Sequence, residues 1–154
     1  MKIWVDSDSC PKQVRTIIFR AANKRHIHSF FVANRALPIR ETEYIHPIVT
    51  CIEEQAADNY IIMHASSDDL VVTRDIPLAK CLLEKGMTVI NDRGTEFSLN
   101  DINTRLSLRN FFYELSAAGL KPESTQVFSK RNLQEFAACF DTVLTKKQKA
   151  LSTQ

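Results

Sequence analysis

The stretch that most constrains the fold is DDLVVTRDIPLA, residues 68–79. Its centre, Leu70, Val71 and Val72, is apolar, rich in β-branched residues and too short for a helix, so it reads as a strand buried on both faces. A strand of that kind belongs in the middle of a sheet with helices above and below. Thr73 and Asp75 fall just past its C-terminal end, and Ile76, Pro77 and Leu78 open a helix with Asp75 as N-cap and proline in the first turn. Open α/β sheets bind ligands at that edge. Asp68 and Asp69 precede the strand and read as turn residues at the opposite rim.

The flanking sequence supplies more strands of the same type. Residues 2–5 form a short apolar strand followed at once by Asp6, Ser7, Asp8 and Ser9. After Pro11, Val14, Ile17, Ile18, Ala21 and Ala22 recur at helical spacing, and residues 30–33 read as a second strand. This is a βαβ unit with parallel strands and a right-handed crossover. Residues 34–43 read as a loop exposing Arg35 and Arg40, and residues 45–49 as an edge strand because of Pro47. A helix is expected over residues 53–66, with Asp58 near its start. Leu78, Leu82 and Leu83 face the sheet in the next helix, which Gly86 ends, and residues 88–90 form a last strand ending at Asn91 and Asp92.

Beyond Leu99 the pattern is helical. Ser98 with Asp101 resembles an N-cap, and Leu106, Phe111, Phe112 and Leu115 form an apolar stripe. After a polar loop, Ser129 caps a final helix whose buried face carries Leu133, Phe136, Ala137, Phe140, Val143 and Leu144. The polar tail, residues 146–154, is expected to fray. The sum is one three-layer α/β/α domain over residues 1–154, with a mostly parallel sheet of about five strands and C-terminal helices.

Composition adds exclusions. A net charge of +2 is too small to argue for nucleic-acid binding by itself. No segment approaches the roughly 20 apolar residues of a membrane span, and the N-terminal apolar run is far shorter than a signal-peptide core, so a cytoplasmic location without membrane partners is the expectation. Cys10, Cys51, Cys81 and Cys139 show no CxxC spacing and read as reduced thiols.

A parallel sheet brings Asp6, Asp8, Asp75 and Asp92 to one rim. Carboxylates crowded there repel unless a hard cation, Mg²⁺ or Mn²⁺, neutralises them. Such an ion can activate water and stabilise the leaving oxygen of a phosphodiester. The alternative is that each aspartate caps the helix after it.

Five blocks, MKIWVDSDSCP at the start, VAN at 32–34, ADN at 57–59, DLVVTRDIPLA at 69–79 and RLSLRNF at 105–111, resemble the motifs of the YaiI/YqxD family of bacterial proteins, grouped with PIN-like nucleases. The resemblance implies a PIN-like α/β/α fold in which acids hold Mg²⁺ or Mn²⁺ and cut single-stranded RNA. On that basis Asp6, Asp58 and Asp75 would be catalytic metal ligands, with Asp8 beside them and Thr73 orienting a ligand or water. Ser7 and Ser9 stand where the family usually has alanines. Arg105 and Arg109, four apart on one helix face, and Arg74 and Arg93, flanking the strand ends, are candidates to hold an RNA backbone. Self-association is left open.

Competing readings exist. DSDS after a strand resembles the first motif of haloacid-dehalogenase-type phosphatases, but Lys80 and Asp92 fit the rest of that pattern poorly. Cys10 and Arg15 are one residue short of the C-x5-R phosphate loop, so Cys10 reads as a packed thiol. His26 and His28 lack a third spaced ligand, and His46 and His64 are isolated, so all four read as surface residues. A domain that binds RNA or protein without catalysis is the remaining alternative.

Overall fold

The computed structural model describes residues 1–119 and 127–153. In chain order these form β1 (Ile3–Asp6), α1 (Lys12–Arg25), β2 (Ser29–Ala33), β3 (Ile45–Val49), α2 (Ala56–His64), β4 (Leu70–Val72), α3 (Ile76–Glu84), β5 (Thr88–Ile90), α4 (Leu99–Ala117) and α5 (Lys130–Ser152). The strands make one all-parallel sheet in the order β3-β2-β1-β4-β5. Val5 pairs with Phe31 on one side and Val72 on the other, and Val72 pairs with Ile90. β1 and β4 are therefore the central strands, and every residue of both is buried. Proline-bearing β3 takes an edge, where an absent N–H costs no ladder bond.

Side-chain alternation divides the apolar residues into two layers. Ile3, Val5, Leu70 and Val72 pack with Val14 and Ile18 of α1 and Phe136 and Phe140 of α5. Trp4 and Val71 point the other way, onto Ile61 of α2, Leu78 and Leu82 of α3 and Ile102 of α4. This is a three-layer α/β/α arrangement. The chain runs outward from β1 to β3 and then returns to pair β4 on the other side of β1, so the strand order reverses between β1 and β4. That switch point opens a crevice at the strands' C-terminal ends.

The caps read from the sequence are present. Asp75 accepts the Leu78 amide, Ser98 accepts from Asp101, and Ser129 and Asn132 form a reciprocal box. Three expectations are corrected. The mid-chain helix is shorter than residues 53–66, beginning at Ala56 after Gln55 in a left-handed conformation with φ 68°. The stripe on α4 is only partly covered: Ile102 is buried, but Phe111 and Phe112 are 55% and 45% exposed. Helical spacing identifies the face that could bury, not whether a neighbour lies there. The tail does not fray at residue 146, because α5 continues to Ser152. Arg25 grips Asp141, Thr145 and Gln148, and Lys147 Nζ reaches Thr88 Oγ1 at 3.2 Å. Most of the polar loop after Gly119, and the last residue, lie outside the described residues.

Candidate functional site: a carboxylate cleft at the switch point

The end of β1 and the end of β4 meet at the reversal in strand order. Asp6 is the last residue of β1 and is 7% exposed. Its Oδ2 accepts the Thr73 hydroxyl at 2.9 Å, and Thr73 Oγ1 in turn accepts the Asp75 amide at 3.0 Å. One threonine thus ties the two strand ends together. Asp75 Oδ1 accepts Leu78 N at 2.9 Å. Asp8 is held from β2, with the Asn34 amide donating to its Oδ2 at 2.9 Å and Arg35 Nε 3.8 Å from Oδ1. Asp58 projects from the first turn of α2. Asp6, Asp8, Asp58 and Asp75 all line one cleft of about 300 Å³, together with Ser9, Asn34, Gln55 and Arg74.

The electrostatics of the cleft follow from this crowding. The Asp6 carboxyl is pushed up from 3.8 to about 6, first by burial and then by the charges of Asp75 and Asp8, against the lowering effect of the Thr73 bond. Asp58 also rises to about 6, through burial and the charges of Asp6, Asp75 and Asp8. Asp92 is also buried, and its Oδ2 has no hydrogen-bond partner among the described residues. It lines a small crevice shared with Asp6, Cys10 and Thr73. Among the described residues no three His, Cys, Asp or Glu groups form a ready-made metal cluster. The carboxylate oxygens of the cleft and its two raised carboxyls are nevertheless of the type a hard cation takes, because Mg²⁺ needs only one or two direct carboxylates and keeps several waters.

The sequence comparisons point the same way as the motifs. Residues 4–146 match the profile of the uncharacterized BCR, YaiI/YqxD family. The chain belongs to the YaiI/YqxD family. It is 48% identical to a UPF0178 protein of Treponema denticola over 100% of this chain and 99% of that protein. A Treponema pallidum UPF0178 protein is 45% identical over 92% of this chain and 80% of its own. A Marinomonas relative is 38% identical over 97% and 100%. No solved structure matches.

Four of the five YaiI/YqxD blocks quoted from the sequence converge on the cleft: Asp6, Asp8 and Ser9, Asn34, Asp58, and Arg74 with Asp75. The fifth does not reach it. Arg105 lies on α4 with its guanidinium 5.3 Å from the Phe97 ring, Arg109 is exposed on the same helix, and Arg93 lines a separate groove beside α5. Of the four arginines singled out, Arg74 alone lines the cleft.

Asn34 and Gln55 are cleft residues that residue-type reasoning passed over. The signal for Asn34 was its place directly after a strand in the VAN block; nothing in the sequence marks Gln55, whose left-handed backbone is set by the turn into α2. Among the described residues no lysine lines the cleft, and Lys80 is carried on α3, so the phosphatase pattern gains no support there. Burial, with the charge of Asp92, pushes the Cys10 thiol up to about 12, which excludes a thiolate nucleophile at neutral pH.

Proposed function

We propose that the carboxylate cleft binds Mg²⁺ or Mn²⁺ and hydrolyses phosphodiester bonds in single-stranded RNA, as a PIN-like nuclease. The observation that carries this reading is the gathering of Asp6, Asp8, Asp58 and Asp75 around one cleft at the switch point, with two of them raised to about 6. A parallel sheet would bring capping aspartates to this rim as well, but no side chain caps α1 or α2, so Asp6, Asp8 and Asp58 are not held there as caps. Asp75 is a cap, but its N-cap bond uses a single oxygen and the residue lines the cleft as well.

The chain's own residues divide the work. The Asp58 carboxylate lines the cleft with no hydrogen-bond partner among the described residues, so it is available to a cation or to an attacking water. Thr73 fixes the Asp6 carboxylate by occupying Oδ2, leaving Oδ1 to ligate. Asn34 and Arg35 hold Asp8 at the rim. Arg74 stands where a phosphate entering the cleft would meet a positive charge. A bound ion would supply Lewis-acid activation and screen the four carboxylates from one another.

The test is cleavage of labelled single-stranded RNA by wild type and Asp58→Asn, with Mn²⁺ or with EDTA. Wild type cuts only with metal, and Asp58→Asn loses at least about 100-fold in rate while its circular dichroism is unchanged. Cleavage in EDTA, or none in any metal, rejects the reading, and turnover of small phosphomonoesters in place of RNA favours a phosphohydrolase.

A further inference from the structure

All four histidines of the chain lie on one aromatic ladder that runs from Trp4 of β1 across β2 to β3, and none of them lines the carboxylate cleft. The spacing in sequence pairs His26 with His28, but the strand register separates them. Ser29 sits opposite Ile45 and Phe30 opposite His46, so residues 28, 30, 44 and 46 share one face of the sheet. His26, in a left-handed conformation at the end of α1, stacks instead on Tyr44.

The partner of His28 is His46. Their facing nitrogens, His28 Nδ1 and His46 Nε2, stand 2.9 Å apart. On the other side of the His46 ring, Nδ1 faces Glu41 Oε1 at 3.8 Å. A carboxylate there favours the tautomer protonated at Nδ1 and leaves the Nε2 lone pair directed at His28. The same carboxylate–histidine arrangement orients imidazoles that ligate metals. Phe30 stacks on His46 at 4.9 Å and limits its rotation.

We infer that His28 and His46 form a two-imidazole site for a borderline transition-metal ion such as Zn²⁺, with Glu41 orienting His46 and water completing the coordination. Imidazole nitrogen selects ions of that class, whereas the carboxylate cleft selects hard ones, so the two sites differ in chemistry and neither depends on the other. The ion takes the place of the hydrogen between the two rings. The His28 proton moves from Nδ1 to Nε2, leaving two neutral imidazoles with lone pairs turned to the ion and no net proton release. His28 is exposed, so its ring can swing to admit an ion at the usual Zn–N distance of about 2.0–2.1 Å.

The test is calorimetric titration of the full chain with ZnCl₂, with excess Mg²⁺ present to occupy oxygen sites. Wild type binds one equivalent, His28→Gln and His46→Gln bind at least about tenfold more weakly, and Glu41→Gln loses about tenfold. His26→Gln binds as wild type does, and zinc moves the ring ¹⁵N resonances of His28 and His46 and not those of His26 or His64. Equal affinity in wild type and His28→Gln overturns the site. So does zinc binding that survives His28→Gln and disappears in Asp58→Asn, which would assign the ion to the carboxylate cleft.

Discussion

Asp69 and Asp6 stand at opposite ends of the same sheet and are almost equally buried, at 3% and 7% exposure. Their surroundings differ. The Asp69 carboxylate receives Lys2 N at 2.8 Å, Trp4 Nε1 at 2.9 Å and Ser66 N at 3.0 Å, and so clasps the start of β1 to the start of β4. Asp6 receives one hydroxyl, from Thr73, and faces the charges of Asp75 and Asp8. Burial alone therefore does not distinguish a carboxylate that holds the fold from one that strains it. The supply of donors does: a buried carboxylate rich in N–H partners holds the fold, and one short of them costs stability until something positive arrives.

The largest consequence lies at the satisfied rim. Asp69→Ala leaves a buried indole N–H and two backbone amides without their acceptor, and the expected loss is about 3–5 kcal/mol. Urea denaturation measures it, and a loss under about 1 kcal/mol would erase the contrast between the two rims.

At the crowded rim the sign reverses. The Asp6 carboxyl rises from 3.8 to about 6 on folding, so the folded protein keeps a proton there that the unfolded chain has released. That contribution is fully present below about pH 4 and is lost as pH rises through about 6. In EDTA at pH 8, Asp6→Asn is therefore more stable than wild type by up to about 3 kcal/mol, and the difference vanishes near pH 4. Adding Mn²⁺ at pH 8 should close the gap by stabilising wild type alone. A variant less stable than wild type in EDTA at pH 8 would show that Asp6 serves the fold as Asp69 does.

The contrast also explains what could be read without coordinates. Leu70 to Val72 announced a central strand because nothing else tolerates burial on both faces, and Pro47 announced an edge. Asp6, Asp8 and Asp75 were legible because parallel strands deliver whatever follows them to one rim. Asp69 reads locally as a turn residue, and it does follow a turn, but two of its donors come from Lys2 and Trp4, more than sixty positions away. No local pattern encodes that. The His28–His46 pair and the unpartnered Asp92 oxygen are hidden for the same reason, since both depend on register and packing across the sheet. On α4 the error ran the other way: Phe111 and Phe112 belong to an apolar stripe and yet are half-exposed.

The smallest of these effects isolates the hydrogen bond at the satisfied rim. Trp4→Phe removes the indole donor to Asp69 while keeping an aromatic ring against Phe30, on which Trp4 stacks at 4.5 Å. The expected cost is about 1.5–3 kcal/mol, the range for a hydrogen bond to a charged group. Made in an Asp69→Ala background, the same change should cost markedly less, because its partner is already gone. Strictly additive costs would mean that Trp4 stabilises by packing alone and that Asp69 is held by its backbone donors. Either way the pH dependence in EDTA should be unchanged by Trp4→Phe, because the raised carboxyls that set it, Asp6 and Asp58, line the cleft at the other end of β1.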